Sequence, residues 1–262
     1  MDLKFFIKHG LHDQADFVFI FNGATDAETL LPGGQDNIRI VKKANLCFDL
    51  GTHAAVLSEE INGEKALKDK YKRFILMNAS IRGPFIPHWS TACWSEAYLG
   101  RLNEKVKVSG TKHAVYTETS IPQLVGSTIN CHSGIDQHVQ SMIWALDSYD
   151  LAAILEPEEI GECFVNLESA MDAEIRTTRH VRSKGYEVDV MLQVYQTQKD
   201  YKFADCQDNV DYLFNNNYYG FNVHPFETLF VKTHRGVDSN MINIPSDWVD
   251  ASGYSSYDAC RK

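Results

Sequence analysis

Tyr71-Lys-Arg-Phe-Ile-Leu-Met-Asn-Ala-Ser-Ile-Arg-Gly-Pro-Phe-Ile-Pro87 is the stretch on which the reading of this chain turns. Phe74-Ile-Leu-Met77 is a short apolar run suited to a strand covered on both faces. Asn78, Ser80 and Arg82 follow where such a strand leaves its sheet. Gly83-Pro84 then stops the strand. In open α/β sheets ligands gather at the carboxyl ends of the strands, so Asn78, Ser80 and Arg82 are candidate ligand contacts. A plain polar loop after a core strand is the competing reading.

Outward from this stretch, Leu3 to Leu11 and Phe17 to Phe21 read as two aromatic-rich strands and Ile38 to Val41 as a third. Asn45-Leu-Cys-Phe-Asp-Leu-Gly51 leads into a helix over 52–60. The order strand, strand, strand, helix, strand predicts an α/β fold with a mostly parallel sheet flanked by helices. Downstream, a helix begins near Thr91, with Trp89, Trp94 and Tyr98 as core aromatics. Residues 106–121 read as a surface loop, and Leu124-Val125 as a reopened strand. Val139, Met142, Ile143 and Leu146 have helical spacing within His138 to Leu155. A second helix is expected over 167–184, with Leu167, Met171, Ile175, Thr178 and Val181 or Arg182 on its apolar face and Gly185 as its stop. Tyr186 to Met191 and Leu229 to Lys232 read as strands. The expected organisation is one domain over 1–237 and a loosely packed C-terminal extension over 238–262.

With 25 Lys and Arg against 35 Asp and Glu, the chain carries a net charge of −10 and has no basic block. A nucleic-acid-binding surface, which needs clustered positive charge, is disfavoured. The six cysteines lie singly, without a C-x-x-C pair, which reads as free, mostly buried thiols in a reducing compartment and not as a zinc site. With no secretion signal and no apolar run long enough to span a bilayer, the expectation is a cytoplasmic chain, or a secretory-pathway chain whose anchor lies outside these residues.

Three groups could carry chemistry. Asn45, Asp49 and Gly51 would let a carboxylate meet a base or ribose while glycine admits a close ligand; alternatively Asp49 caps the following helix. Asn78, Ser80 and Arg82 put a guanidinium fork beside two small polar groups, which suits a diphosphate; a surface ion pair is the alternative for Arg82. On the late helix Glu168 and Asp172 share a face, and Glu174 lies about 120° round from Glu168. One of these carboxylates could serve as a general base, or all could belong to a solvated face. Among the ten histidines His224, in Val-His-Pro-Phe-Glu227, is the most suggestive, against a hydrogen-bonded structural role.

Taken in order, these groups resemble GT-A-fold glycosyltransferases, in which a polar triplet after a core strand, commonly Asp-x-Asp, holds a metal and the donor diphosphate. Asp172-Ala-Glu174-Ile175, followed by Gly185-Tyr186-Glu-Val188, is similar to their acceptor-side helix. Asn78-Ala-Ser80-Ile-Arg-Gly-Pro-Phe85 and His138-Val-Gln-Ser141 look like the motifs of rhamnan-synthesis-type glycosyltransferases. The resemblance spans roughly residues 3–235. It implies a Rossmann-like, GT-A-like fold and transfer of a hexosyl or deoxyhexosyl unit from a UDP-, GDP- or dTDP-sugar to a hydroxyl of a glycan acceptor, with inversion.

On that resemblance Asp49, with Asn45 and Gly51, contacts the nucleotide, and Asn78, Ser80 and Arg82 the diphosphate or donor sugar. Glu174 is the base with Asp172 as runner-up, His138 and Gln140 line the acceptor side, and His224 is a late histidine near the metal. The departure is at Asn78-Ala79-Ser80, since hard cations such as Mn²⁺ or Mg²⁺ favour charged oxygen ligands. Metal use is therefore open, and Arg82 or another cation gains a larger share in holding the diphosphate. A catalytically inactive carbohydrate-binding or scaffold protein on the same fold is the alternative, and a sugar-nucleotide hydrolase a second.

Overall fold

The structure, a computed structural model, describes residues 2–60, 63–102, 122–132, 134–156, 159–196, 206 and 210–261. In chain order the elements are α1 (Asp2–His9), β1 (Phe17–Asn22), β2 (Ile38–Lys43), α2 (Asp49–Ser58), α3 (Leu67–Lys70), β3 (Arg73–Met77), β4 (Ile81–Arg82) and α4 (Trp94–Leu99). Then come β5 (Pro122–Gly126), β6 (Ile129–Asn130), β7 (His138–Val139), β8 (Ile143–Asp147), α5 (Ser148–Ile154), α6 (Leu167–Ser183) and β9 (Glu187–Val190). The chain ends with α7 (Pro225–Thr228), β10 (Val231–Lys232), α8 (Asn240–Ser252) and α9 (Ser256–Ala259). The reading of 106–121 as a loop falls outside the described residues.

The fold is α/β, but among the described residues the expected single, mostly parallel sheet does not form. The central sheet has the order β3-β8-β5-β9. β8 runs antiparallel to both β3 and β5, whereas β5 and β9 are parallel. The reversal comes from the antiparallel pair β6–β7, which turns the chain back after β5 so that β8 returns beside it. β1 and β2 form a separate parallel pair, and β4 with β10 an antiparallel one.

Burial of the sheet on both faces explains its composition. Successive side chains of a strand point to opposite faces. Phe74 and Leu76 of β3, Leu124 of β5, and Trp144 and Leu146 of β8 enter one apolar cluster with Leu50 of α2, Leu151 of α5 and Ala173 of α6. Val125, Ile143 and Ala145 enter the cluster on the other face, with Trp94, Tyr98 and Phe230, and Ile75 and Met77 pack against it. Truncating Trp144, which is fully buried, would cost about 3–5 kcal/mol.

The same burial corrects the first part of the helix expected over His138 to Leu155, of which Ser148–Ile154 is helical and Ile143–Asp147 is a strand. A strand apolar on both faces has no period of two, so Ile143-Trp-Ala-Leu146 mimics helical spacing. Leu3 to Leu11, expected as a strand, instead forms most of α1, which buries Phe5 and His9 four residues apart and carries Asp2 in its first turn and Lys8 in its last. On α6 the stop is where it was expected, with Gly185 at φ 79°, and so in part is the apolar face. Thr178 and Val181 face the core as expected, with Ala170, Ala173 and Thr177, whereas Leu167 and Met171 are exposed. Trp94 and Tyr98 are core aromatics, whereas Trp89 is 77% exposed.

All six cysteines are paired, as Cys47–Cys163, Cys93–Cys260 and Cys131–Cys206, which overturns the expectation of free thiols. Their Cα separations of 5.0, 4.5 and 5.5 Å lie in the ordinary disulfide range. The segment from Asp238 is packed, not loose. The Cys93–Cys260 bond ties it to the start of α4, and α8 buries Ile242 and Val249 against Phe5 and Phe85.

The pairing predicts that alkylation of the denatured, unreduced chain labels no cysteine, while prior reduction exposes all six. Cys93→Ser, which opens a bond joining residues 167 apart, should lower stability by about 2–5 kcal/mol in urea unfolding.

Candidate active site at the carboxyl edge of the sheet

The strand registers set the site. Met77 of β3 pairs with Ile143, and Gly126 of β5 pairs with both Trp144 and Val190. The carboxyl ends of β3, β5 and β9 therefore share one edge with the amino end of β8. Asn78-Ala79-Ser80 leaves the sheet there, and the β6–β7 reversal delivers His138, Gln140 and Ser141 to the same edge. α2 is tied to the end of β1, where Asn22 donates from Nδ2 to Thr52 Oγ1 at 3.3 Å.

Asn78 folds back on its own turn. Its Oδ1 accepts from the Ser80 hydroxyl at 2.7 Å and from the Ser80 backbone N–H at 3.3 Å. Short polar side chains commonly organise a turn in this way. Lys232, at the end of β10, brings its ammonium onto the turn, donating to Ser80 Oγ at 2.6 Å and to Asn78 Oδ1 at 3.3 Å. Burial pulls the Lys232 pKa below the ordinary ammonium range. The Asp49, Glu174 and Asp211 carboxylates act in the opposite sense and the Arg235 charge in the same sense as burial. Lys232 also helps to line a small pocket with Tyr212, Asn222, Val237 and Met241.

Glu174 reaches the edge from α6. Its Oε1 accepts from the backbone N–H of Ser141, and its Oε2 lies 3.7 Å from His138 Nε2. The other ring nitrogen of His138, Nδ1, is 2.8 Å from the Asp136 carbonyl, so the imidazole is held between the two. Gln140 accepts from Thr128 Oγ1 at 2.8 Å and donates to Asp211 Oδ1 at 3.0 Å. Asp211 Oδ1 also accepts from the Leu213 backbone N–H at 2.9 Å. Both His138 and Gln140 are buried, and each supports a carboxylate of the site.

Asp49 stands in the first turn of α2, whose N-cap residue is Phe48, so it is not the cap. Its charge acts on both Lys232 and His53. Of the ten residues expected in donor binding, catalysis and the acceptor side, the edge thus gathers Asp49, Asn78, Ser80, Glu174, His138 and Gln140. Lys232, Asp211 and Arg235 join them without having been expected.

The remaining expected residues lie elsewhere or serve the fold. Arg82 is buried, donating to Asp2 Oδ1 at 2.7 Å, to Asn243 Oδ1 at 3.0 Å and to Ser246 Oγ at 3.3 Å, so it ties β4 to α1 and α8. Asp172 is exposed and pairs with Arg176 one turn along α6. A Cβ on Gly51 would stand 2.4 Å from the Glu162 carbonyl oxygen, so this glycine admits the neighbouring chain beside Cys163 and not a ligand. Asn45 is exposed next to Gly23. His224 caps α7, its Nδ1 accepting from the Phe226 backbone N–H at 3.3 Å, and stacks on the Phe226 ring.

A metal does not fit the triplet as it stands, because the two oxygens it offers, Ser80 Oγ and Asn78 Oδ1, already accept from an ammonium. Among the described residues, one group brings three potential ligand atoms within 4.8 Å of one another, His12 with Cys93 and Cys260, and those sulfurs are bonded to each other. Asp49, Glu174 and Asp211 do not form such a group.

Because Arg82 holds the fold, Arg82→Met should cost about 3 kcal/mol of stability, read by urea unfolding, by leaving the Asp2 carboxylate without its partner. The folded fraction should retain the Lys232 site unchanged. No family model matches the chain, and no match is found among curated proteins or solved structures.

Proposed function

We propose that the chain is a glycosyltransferase that moves a sugar from a nucleotide-sugar donor to a hydroxyl of a glycan acceptor with inversion. One observation carries this reading. The Asn78/Ser80 turn hydrogen-bonds the partly buried Lys232 ammonium, and the Glu174 carboxylate, far away in sequence, is held by the Ser141 N–H and His138 at the same carboxyl edge of the sheet, the place where α/β sheets bind ligands. The order of motifs along the chain agrees with it.

In this reading the donor's diphosphate lies on the Asn78-Ala79-Ser80 turn, and Asp49 at the start of α2 meets the nucleoside. Glu174 is the general base. As the acceptor oxygen attacks the anomeric carbon, its proton passes to the Glu174 carboxylate. The bond from that carbon to the diphosphate oxygen breaks, its electron pair leaving with the nucleoside diphosphate. The Ser141 N–H fixes one Glu174 oxygen and leaves the other toward His138, so the carboxylate is oriented before substrate arrives. Gln140 and Asp211 brace the acceptor side through their shared hydrogen bond.

Three disulfides support an oxidising compartment over the cytoplasm for this chemistry. Among the described residues no helix is long and apolar enough to cross a membrane.

Glu174→Gln should lower kcat by about 10²–10⁴-fold, the usual worth of a general base, while nucleoside diphosphate still binds. Asp172→Asn, on the exposed side of α6, should leave turnover at the wild-type level. A Glu174→Gln variant that turns over normally would contradict the assignment. A wild type that binds donor without turnover would favour a carbohydrate-binding protein, and sugar release without any acceptor would favour a hydrolase.

A further inference from the structure

We propose that Lys232, with Arg235 beside it, takes the donor's diphosphate in the place a divalent cation would occupy on the Asn78-Ala79-Ser80 turn, making the reaction metal-independent. This inference rests on the glycosyltransferase reading and adds to it the group that stabilises the leaving diphosphate.

The geometry supplies two arguments. First, the Lys232 ammonium spends two of its three N–H groups on Ser80 Oγ and Asn78 Oδ1, and its third has no acceptor among the described residues. An ammonium held by the turn through two of its donors, with the third left over, is arranged to receive an oxygen ligand. Second, Arg235 Nε is buried and has no hydrogen-bond partner. A buried guanidinium nitrogen left unpaired is uncommon, because desolvation without a partner is unfavourable, and an anion would satisfy it. The Arg235 guanidinium is positioned by the Phe214 ring, 4.9 Å from its centroid.

The nearby carboxylates do not offer the alternative. Asp211 Oδ1 is engaged by Gln140 and the Leu213 N–H, and Glu174 Oε1 by the Ser141 N–H. With Asp49 they do not gather three ligand atoms within 4.8 Å. The cation that this turn holds is the lysine.

The chemistry balances without a metal. When the bond from anomeric carbon to diphosphate oxygen breaks, its electron pair becomes negative charge on the leaving nucleoside diphosphate. The ammonium and guanidinium meet that charge by charge-assisted hydrogen bonds, strongest when the leaving group is fully charged. No proton need move from Lys232.

The test uses the full chain with UDP, GDP, dTDP and inorganic pyrophosphate as probes in thermal shift, and the corresponding donor sugars in turnover, each with EDTA and with MnCl2. The expected result is a melting-temperature rise and turnover that are equal in the two conditions. Lys232→Met should remove the rise and lower kcat by about 10²–10³-fold, as loss of one preorganised donor to a developing charge does. Lys232→Arg, which keeps the charge, should retain part of both. If Lys232→Met does not fold, Arg235→Gln decides, with a reduced pyrophosphate shift expected and a wild-type shift overturning the inference. Loss of binding or turnover in EDTA, restored by Mn²⁺, would overturn the inference while leaving the glycosyltransferase reading intact. No shift with any nucleoside diphosphate or pyrophosphate would overturn both.

Discussion

The Lys232 ammonium is partly removed from water, and a charge so placed is stabilised where hydrogen bonds and opposite charges replace the hydration it has lost. The molecule meets this constraint from four separate parts of the chain. The turn after β3 supplies two acceptors, and Asp49, Glu174 and Asp211 supply negative charge from α2, from α6 and from the irregular segment before α7. Each of these positions is held by its own scaffold. Close packing of Gly51 against residues 162–164 and the Cys47–Cys163 bond fix α2 against the approach to α6. Gln140 fixes Asp211, and the Ser141 N–H fixes Glu174.

The antiparallel strand β8 is what brings these groups to one place. It is buried on both faces and lies between β3 and β5, so its amino end meets their carboxyl ends. The short β6–β7 reversal that precedes it carries His138, Gln140 and Ser141 into the gap. The Cys93–Cys260 disulfide and the Arg82 cluster tie α1, α4 and α8 to the body. A site built on strand ends and braced by side chains behind it can hold its geometry before a ligand arrives.

Part of this was legible in the sequence. Phe74–Met77 followed by Asn78 and Ser80 could be read because an abrupt change from apolar to polar marks where a buried strand ends. α6 could be read from its length and from Gly185, which accepts the left-handed backbone there. The strand Ile143–Leu146 was not legible, since burial on both faces erases alternation. Arg82 misled because a guanidinium beside a polar turn looks like a ligand contact, whereas its partners Asp2, Asn243 and Ser246 come from the two ends of the chain. The cysteines misled for the same reason: partners 75 to 167 residues apart carry no spacing pattern. Lys232 did leave a trace. Leu229-Phe-Val-Lys232 repeats the apolar run with a polar end seen at Phe74–Asn78, and β10 does pair with β4, which follows that turn.

The central claim is that this edge is a nucleotide-sugar site, and the most direct measurement is a screen of the wild-type chain against UDP-, GDP- and dTDP-sugars, reading melting temperature together with release of nucleoside diphosphate. A ligand that binds the native state raises its melting temperature by mass action, so a slow enzyme is visible too. The account predicts that one donor class raises the melting temperature and that a glycan acceptor accelerates release of its nucleoside diphosphate. A chain that none of the three donor classes stabilises would contradict it.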